Sequence, residues 1–152
     1  MEVLVIDSEG FAGVDESSNH DSRIFLFALL LSSYFIYNSQ GNIDESALSN
    51  LSLIINLAKE IQMKTNSRRF DETIKKHFPS FLWIVRDFSL KMEDKHGVKI
   101  TAKEYLENAL TEQRGVTDKI ENKNRIRRLL KCFFHERDCF TLVRPVEDEK
   151  KL

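Results

Sequence analysis

Short apolar runs alternate along the chain with longer stretches in which apolar residues recur at helical spacing. Val3-Leu4-Val5-Ile6 is continuous and mostly β-branched, which predicts a strand covered on both faces. From Asp7 to Asp21 the sequence is polar and carries Gly10 and Gly13, predicting a long loop whose Asp21 caps a helix from Ser22 to Leu31. A second strand is predicted from Ser33 to Tyr37, closed by the turn Asn38-Ser39-Gln40-Gly41. Leu48, Leu51, Ile55 and Ala58, widened by Ile54 and Ile61, form a stripe that predicts a helix from about Asp44 to Met63. The charged, aperiodic stretch from Lys64 to His77 reads as a surface excursion.

Phe81-Leu82-Trp83-Ile84-Val85 is a third apolar strand that stops abruptly at Arg86-Asp87. Thr101-x-x-Glu104 is a capping box opening a short helix to about Leu110. Ile126, Leu129, Leu130 and Phe133 mark an amphipathic helix, and a last strand from Cys139 to Val143 is stopped by Arg144-Pro145. The order β-α-β-α-β-α-α-β, with continuous apolar strands, predicts an α/β domain: a mainly parallel sheet sandwiched by helices. Such sheets bind ligands outside the carboxyl ends of their strands. Asp7, Asn38, Asp87 and Arg144 all fall at predicted strand ends.

Composition narrows the function classes. At 152 residues the chain fits one domain with a real core, and 41% hydrophobic with 31% charged residues is ordinary for a globular protein. A net charge of -1 gives no reason to expect a nucleic-acid partner. The two cysteines, Cys132 and Cys139, match no metal-binding spacing and read as reduced core thiols of an intracellular, cytoplasmic protein. Eleven Phe predict an aromatic-rich core. The basic residues Arg127, Arg128 and Lys131 read as a solvated helix face.

Three readings compete for the opening motif Asp7-Ser8-Glu9-Gly10. A strand-end D-x-x-G suits a nucleoside triphosphatase, in which the aspartate holds Mg²⁺ through a water and the glycine lets a backbone N–H approach the γ-phosphate. The pair Asp7 and Glu9 is also the D-x-E of a two-metal exonuclease, although His135-x-x-Asp138 is poorly spaced to complete it. An ordinary turn after a strand is the third. Arg86-Asp87 favours the first reading, because a carboxylate there can accept from both N1–H and N2–H₂ of guanine. Adenine has no matching pair of donors.

With these motifs in place, the chain resembles the guanylate-binding protein branch of the dynamin-like large GTPases. The resemblance rests on Asp7-Ser8-Glu9-Gly10 as the third G-motif, on Ser32-Ser33-Tyr34-Phe35-Ile36-Tyr37-Asn38-Ser39 followed by Gly41, and on Trp83-Ile84-Val85-Arg86-Asp87-Phe88-Ser89-Leu90. It extends through Glu104-Tyr105-Leu106 to Cys139-Phe140-Thr141-Leu142-Val143-Arg144-Pro145-Val146. It implies a three-layer P-loop GTPase-type fold and Mg²⁺-dependent hydrolysis of GTP at its γ-phosphate. Asp7 would bind Mg²⁺ through water, Gly10 would contact the γ-phosphate, and Ser8 and Phe11 would flank the nucleotide. Glu9 would join the water network there as the proton-relay candidate, while Arg86 and Asp87 would read guanine. The implied partners are GTP or GDP, a second copy meeting this one G domain to G domain, and membranes through other regions.

The 152 residues contain no G-x-x-x-x-G-K-[ST]. On the resemblance, the phosphate loop with its lysine and arginine, the first switch threonine, the guanine cap and the helical stalk all lie outside them. The expectation is a partial G domain lacking the phosphate-loop strand, without measurable GTPase activity alone and prone to aggregate. The non-enzymatic alternative is a decayed module that binds related GTPases.

Overall fold

The computed structural model describes residues 2–8, 18–51, 78–115 and 117–146. In chain order these form α1 (Ser18–Leu31), β1 (Tyr34–Gln40), α2 (Glu45–Asn50), β2 (Ser80–Arg86), α3 (Ala102–Ala109), α4 (Asp118–Phe133) and β3 (Arg137–Thr141). The strands make one sheet in the order β1-β2-β3, and both pairings are parallel. This is a small α/β fold, a parallel sheet flanked by helices, as the alternation predicts and consistent with a P-loop GTPase-type domain.

The core lies on one face of the sheet. Alternation points Phe35 and Tyr37 of β1, Phe81, Trp83 and Val85 of β2, and Cys139 of β3 into it. Phe25 of α1 meets Phe35 edge-on at 5.5 Å, while Phe134 stacks on Phe81 at 4.5 Å. Trp83 is fully buried, edge-on to Tyr37 at 5.2 Å, and its indole N–H donates to Ser39 Oγ at 2.8 Å. The aromatic-rich core expected from composition is what closes this sheet.

Side chains cap two helix starts, the second as the sequence predicts. Asp44 caps α2 by accepting from the Ala47 N–H at 2.8 Å. Thr101 and Glu104 form the complete capping box of α3, at 3.2 Å one way and 2.7 Å the other. Arg137 then ties α3 to β3, its Nε lying 2.7 Å from Glu107 Oε1.

Several boundaries differ from the sequence reading. Residues 3–6 form no strand among the described residues, and all four side chains are exposed. A strand needs a neighbouring ladder for its N–H and C=O groups, and among the described residues these lie beside none. Apolar content alone cannot supply one. α1 begins at Ser18, which places Asp21 inside it rather than at its cap, because polar residues are well tolerated in a first turn. β1 runs through the predicted turn to Gln40, since Asn38 and Gln40 still have Ile84 and Arg86 as ladder partners. The chain turns only at Gly41, where φ is +87°. β3 starts two residues earlier than predicted, but its pairing continues past its end through the Leu142 N–H, which donates to the Val85 carbonyl at 2.8 Å. α2 ends at Asn50; the rest of the predicted helix, the excursion to His77, and residues 9–17 of the predicted loop lie outside the described residues. The double-sided cover predicted for the strands is incomplete, because Tyr34, Ile36 and Phe140 are about half exposed on the second face.

Both cysteines are free thiols, Cys139 buried and Cys132 half-buried. Burial, with the neighbouring Asp138 charge, pushes the Cys139 thiol up to about 11. The thiolate is the nucleophile, so at pH 8 iodoacetamide is expected to spare Cys139 in the native protein and to modify it once denaturant is added. Peptide mass mapping checks this; rapid native labelling of Cys139 would mean that β3 opens readily.

Candidate functional site

The register that pairs Gln40 with Arg86 brings the carboxyl ends of β1 and β2 level. Residues two apart on a strand share a face, so Asn38 and Gln40 both present amides beside the end of β2. Arg86 Nε donates to Asn38 Oδ1 at 2.9 Å. Gln40 Nε2 donates to Asp87 Oδ2 at 2.6 Å. The Gly41 N–H closes the pair from below by donating to the Arg86 carbonyl at 2.8 Å.

Asp87 is the non-glycine residue with positive φ among the described residues, at +54°. Aspartate is among the few residues that enter this region readily. The turn it makes lets the next N–H, that of Phe88, donate to the Leu142 carbonyl at 2.9 Å and so holds the exit of β3 alongside. Asp87 is half-buried. Each carboxylate oxygen has two acceptor positions, so with one bond from Gln40 the group keeps capacity for a planar ligand offering two adjacent N–H donors.

Of the residues singled out by sequence, the structure unites Asn38, Arg86 and Asp87 and adds Gln40. Asp7 and Ser8 are exposed and form no hydrogen bond or ion pair with another described residue. Glu9, Gly10 and Phe11 lie outside the described residues. Arg144 is exposed beyond β3. His135 and Asp138 line a cleft of about 430 Å³ with Tyr34 and Ser80. That is the amino end of the strands, remote from Arg86-Asp87, so they cannot complete a D-x-E site at the carboxyl ends. Among the described residues no three His, Cys, Asp or Glu side chains converge as metal ligands.

Gln40 was legible in principle, since extending β1 by the same alternation puts it beside Asn38. Arg127 was misread. It is buried rather than solvated, with its side chain 4% exposed. It donates through Nη2 to Glu45 Oε1 and through Nε to the Ala109 carbonyl at 3.1 Å. Lys123 Nζ lies 3.2 Å from Glu45 Oε2, and Gln113 Nε2 donates to Oε1 at 2.6 Å. Asn124, also buried, accepts from the Gln113 N–H and donates to its carbonyl. This network clamps the start of α2, and so the turn that follows Gln40, to α4. Of the same predicted face, Arg128 is exposed and paired with Glu112 and Glu121, and Lys131 is half-buried. Desolvation pushes the Glu45 carboxyl up, but the hydrogen bonds and charges of Arg127 and Lys123 outweigh it and hold the group below the usual carboxylate range.

Comparison with known proteins identifies the family of this chain. The sequence model described as "Guanylate-binding protein, N-terminal domain" matches residues 1–152. The chain is 40% identical over 156 residues to human guanylate-binding protein 4, covering 99% of this chain and 24% of that protein. It is 39% identical over 156 residues to human guanylate-binding protein 7, with the same 99% and 24% coverage. Against guanylate-binding protein 1 of Chlorocebus aethiops it is 37% identical over 153 residues, covering 97% of this chain and 26% of that one. The chain thus spans about a quarter of the length of the relatives it matches. It belongs to the guanylate-binding protein family, within the N-terminal domain of that family.

Proposed function

We propose that this chain supplies the guanine-reading half of a GTP-binding and GTP-hydrolysing domain. The observation that carries the reading is the Gln40–Asp87 hydrogen bond at the carboxyl end of the parallel sheet, where α/β folds receive their ligands. Asp87 accepts from guanine N1–H and N2–H₂, while Arg86, oriented by Asn38, lies beside the base. Gln40 holds the carboxylate without exhausting its acceptors. The reaction is attack of water on the γ-phosphate, with Glu9 as the proton-relay candidate and Gly10 and Phe11 beside the phosphates. Mg²⁺ would neutralise phosphate charge, and the exposed carboxylate of Asp7 is a suitable oxygen ligand, through water. With no second donor beside it, the described residues do not form that metal site, and no step is derived through the metal. GTP or GDP, and a second copy meeting this one through G domains, are the partners this reading implies; a cytoplasmic location accords with the free thiols.

The test uses a chimaera in which residues 1–152 are joined to the phosphate-loop and cap segments of a family member. In Asp87→Asn the amide NH₂ faces guanine donors, and two charge-assisted bonds are lost, a penalty of roughly 3 kcal/mol or about a hundredfold in affinity. Xanthine carries a carbonyl where guanine has its amino group, so the variant gains XTP binding as GTP weakens. Competition of both nucleotides against a fluorescent GTP analogue measures the switch. An unchanged preference for GTP would reduce Asp87 to a strand-end charge and remove the guanine assignment.

A further inference from the structure

Asp87 is held in two separate ways, one acting on its backbone and one on its side chain. Its φ of +54° is the left-handed turn that follows β2. The carbonyl before it, that of Arg86, accepts from the Gly41 N–H at 2.8 Å, and the N–H after it, that of Phe88, donates to the Leu142 carbonyl at 2.9 Å. Both flanking peptide groups are therefore tied to neighbouring segments, and the freedom left to Asp87 is rotation within its side chain. The terminal torsion of a carboxylate is broad, without a sharp staggered preference. Gln40 Nε2, 2.6 Å from Oδ2, is the hydrogen-bond partner of this carboxylate among the described residues. Gln40 is itself well anchored. It makes the last ladder pairing of β1, to Arg86. Shortly beyond it the Ile43 N–H donates to Tyr105 Oη at 2.9 Å, and Glu45 is bound by the buried Arg127.

We propose that Gln40 is a positioning residue that fixes the plane of the Asp87 carboxylate, and that this lets the site distinguish guanine from hypoxanthine nucleotides. The inference rests on the reading of Asp87 as the acceptor of guanine. Guanine offers N1–H and N2–H₂ side by side, and both bonds form only when the two carboxylate oxygens lie in the plane of the base. Hypoxanthine offers N1–H alone, and one oxygen can accept it over a wide range of rotation. A carboxylate already held in plane therefore favours the two-donor base. A freely turning one must be ordered each time guanine binds, which removes part of that advantage. The bond to Gln40 occupies one acceptor position on Oδ2 and leaves the other, with both on Oδ1, for the base. Gln40 thus acts on base choice through Asp87 and not by contact with the base.

In the same chimaera, GTP and ITP are each competed against a fluorescent GTP analogue. Gln40 is exposed, so Gln40→Leu, close in size and without a donor, is expected to leave far-UV circular dichroism unchanged. It is expected to weaken GTP about fivefold, the scale of immobilising one side chain, and ITP less than about twofold. Gln40→Glu removes the donor and sets a like charge beside Asp87, so it moves the GTP-to-ITP ratio in the same direction. With Asp87→Ala in place there is no carboxylate to orient, and adding Gln40→Leu is expected to change the ratio no further. Equal weakening of GTP and ITP by Gln40→Leu would overturn the proposal, and so would an effect of Gln40→Leu that persists without Asp87. An unchanged ratio in Gln40→Leu, alongside the XTP switch of Asp87→Asn, would keep Asp87 as the guanine reader and remove only the role of Gln40. Failure of that switch would remove both.

Discussion

Trp83→Ala is expected to cost about 3–5 kcal/mol of stability, enough to unfold much of a domain whose total is of order 5–15 kcal/mol. The indole is 0% exposed in the middle strand, and Tyr37 and Phe81 meet it edge-on at 5.2 and 6.1 Å. Removing it opens a cavity that flanking strands, fixed in register on both sides, cannot fill by collapse. It also takes away the donor that Ser39 Oγ accepts, a smaller loss because Ser39 is half-buried and water can replace it. The chain has one Trp, so unfolding is followed by far-UV circular dichroism in urea at one fixed chain concentration. Trp83→Phe should fall between wild type and alanine. A cost below about 1 kcal/mol for alanine would mean that the aromatic core is loose enough to repack.

Glu45→Ala is expected to destabilise by about 3 kcal/mol or more, although Glu45 is itself partly exposed. The cost arises at Arg127, whose guanidinium stays buried and loses its anion; breaking a buried pair from one side typically costs about 3–5 kcal/mol. Nη1 of Arg127 already has no hydrogen-bond partner, so the group has little capacity to compensate. Adding Arg127→Met to Glu45→Ala should recover most of the loss, because an apolar chain of similar length fills the site without a charge. Urea midpoints of the two single variants and the double variant measure this coupling.

The pH dependence has a definite sign. Glu45 titrates lower in the folded protein than in the unfolded chain, so its contribution is complete above the ordinary carboxylate range and is lost as pH falls through that range toward the folded value. Wild type should therefore lose stability on acidification more steeply than Glu45→Ala. Equal slopes for the two would mean that Lys123 and Arg127 do not hold the carboxylate in solution.

Local signals in the sequence located most of this fold. The capping box at Thr101 needs only three following residues to act, and it was readable at once, whereas the cap read at Asp21 falls inside α1. β1 and β2 were found because their apolar runs happen to have ladder partners, and Arg86-Asp87 was found because it interrupts such a run. By contrast, residues 3–6 carry the same composition as a buried strand and are exposed, since pairing is a property of two segments distant in sequence. Arg127 shows the same limit from the polar side. It lies three residues from the buried Asn124 and Leu130 along α4, but its charge suggested solvent, and only Glu45 on a different helix makes its burial tolerable.

By itself the sequence determined the α/β class, the parallel alternation, the Thr101 capping box and the strand end at Arg86, because each depends on residues within a few positions of one another. Only the tertiary structure decided that Gln40 holds Asp87, that Arg127 is buried against Glu45, and that the opening apolar run lies outside the sheet. Those outcomes depend on strand register and helix docking, which bring together groups more than forty residues apart, as at Gln40 and Asp87. No local pattern encodes which partner will be there.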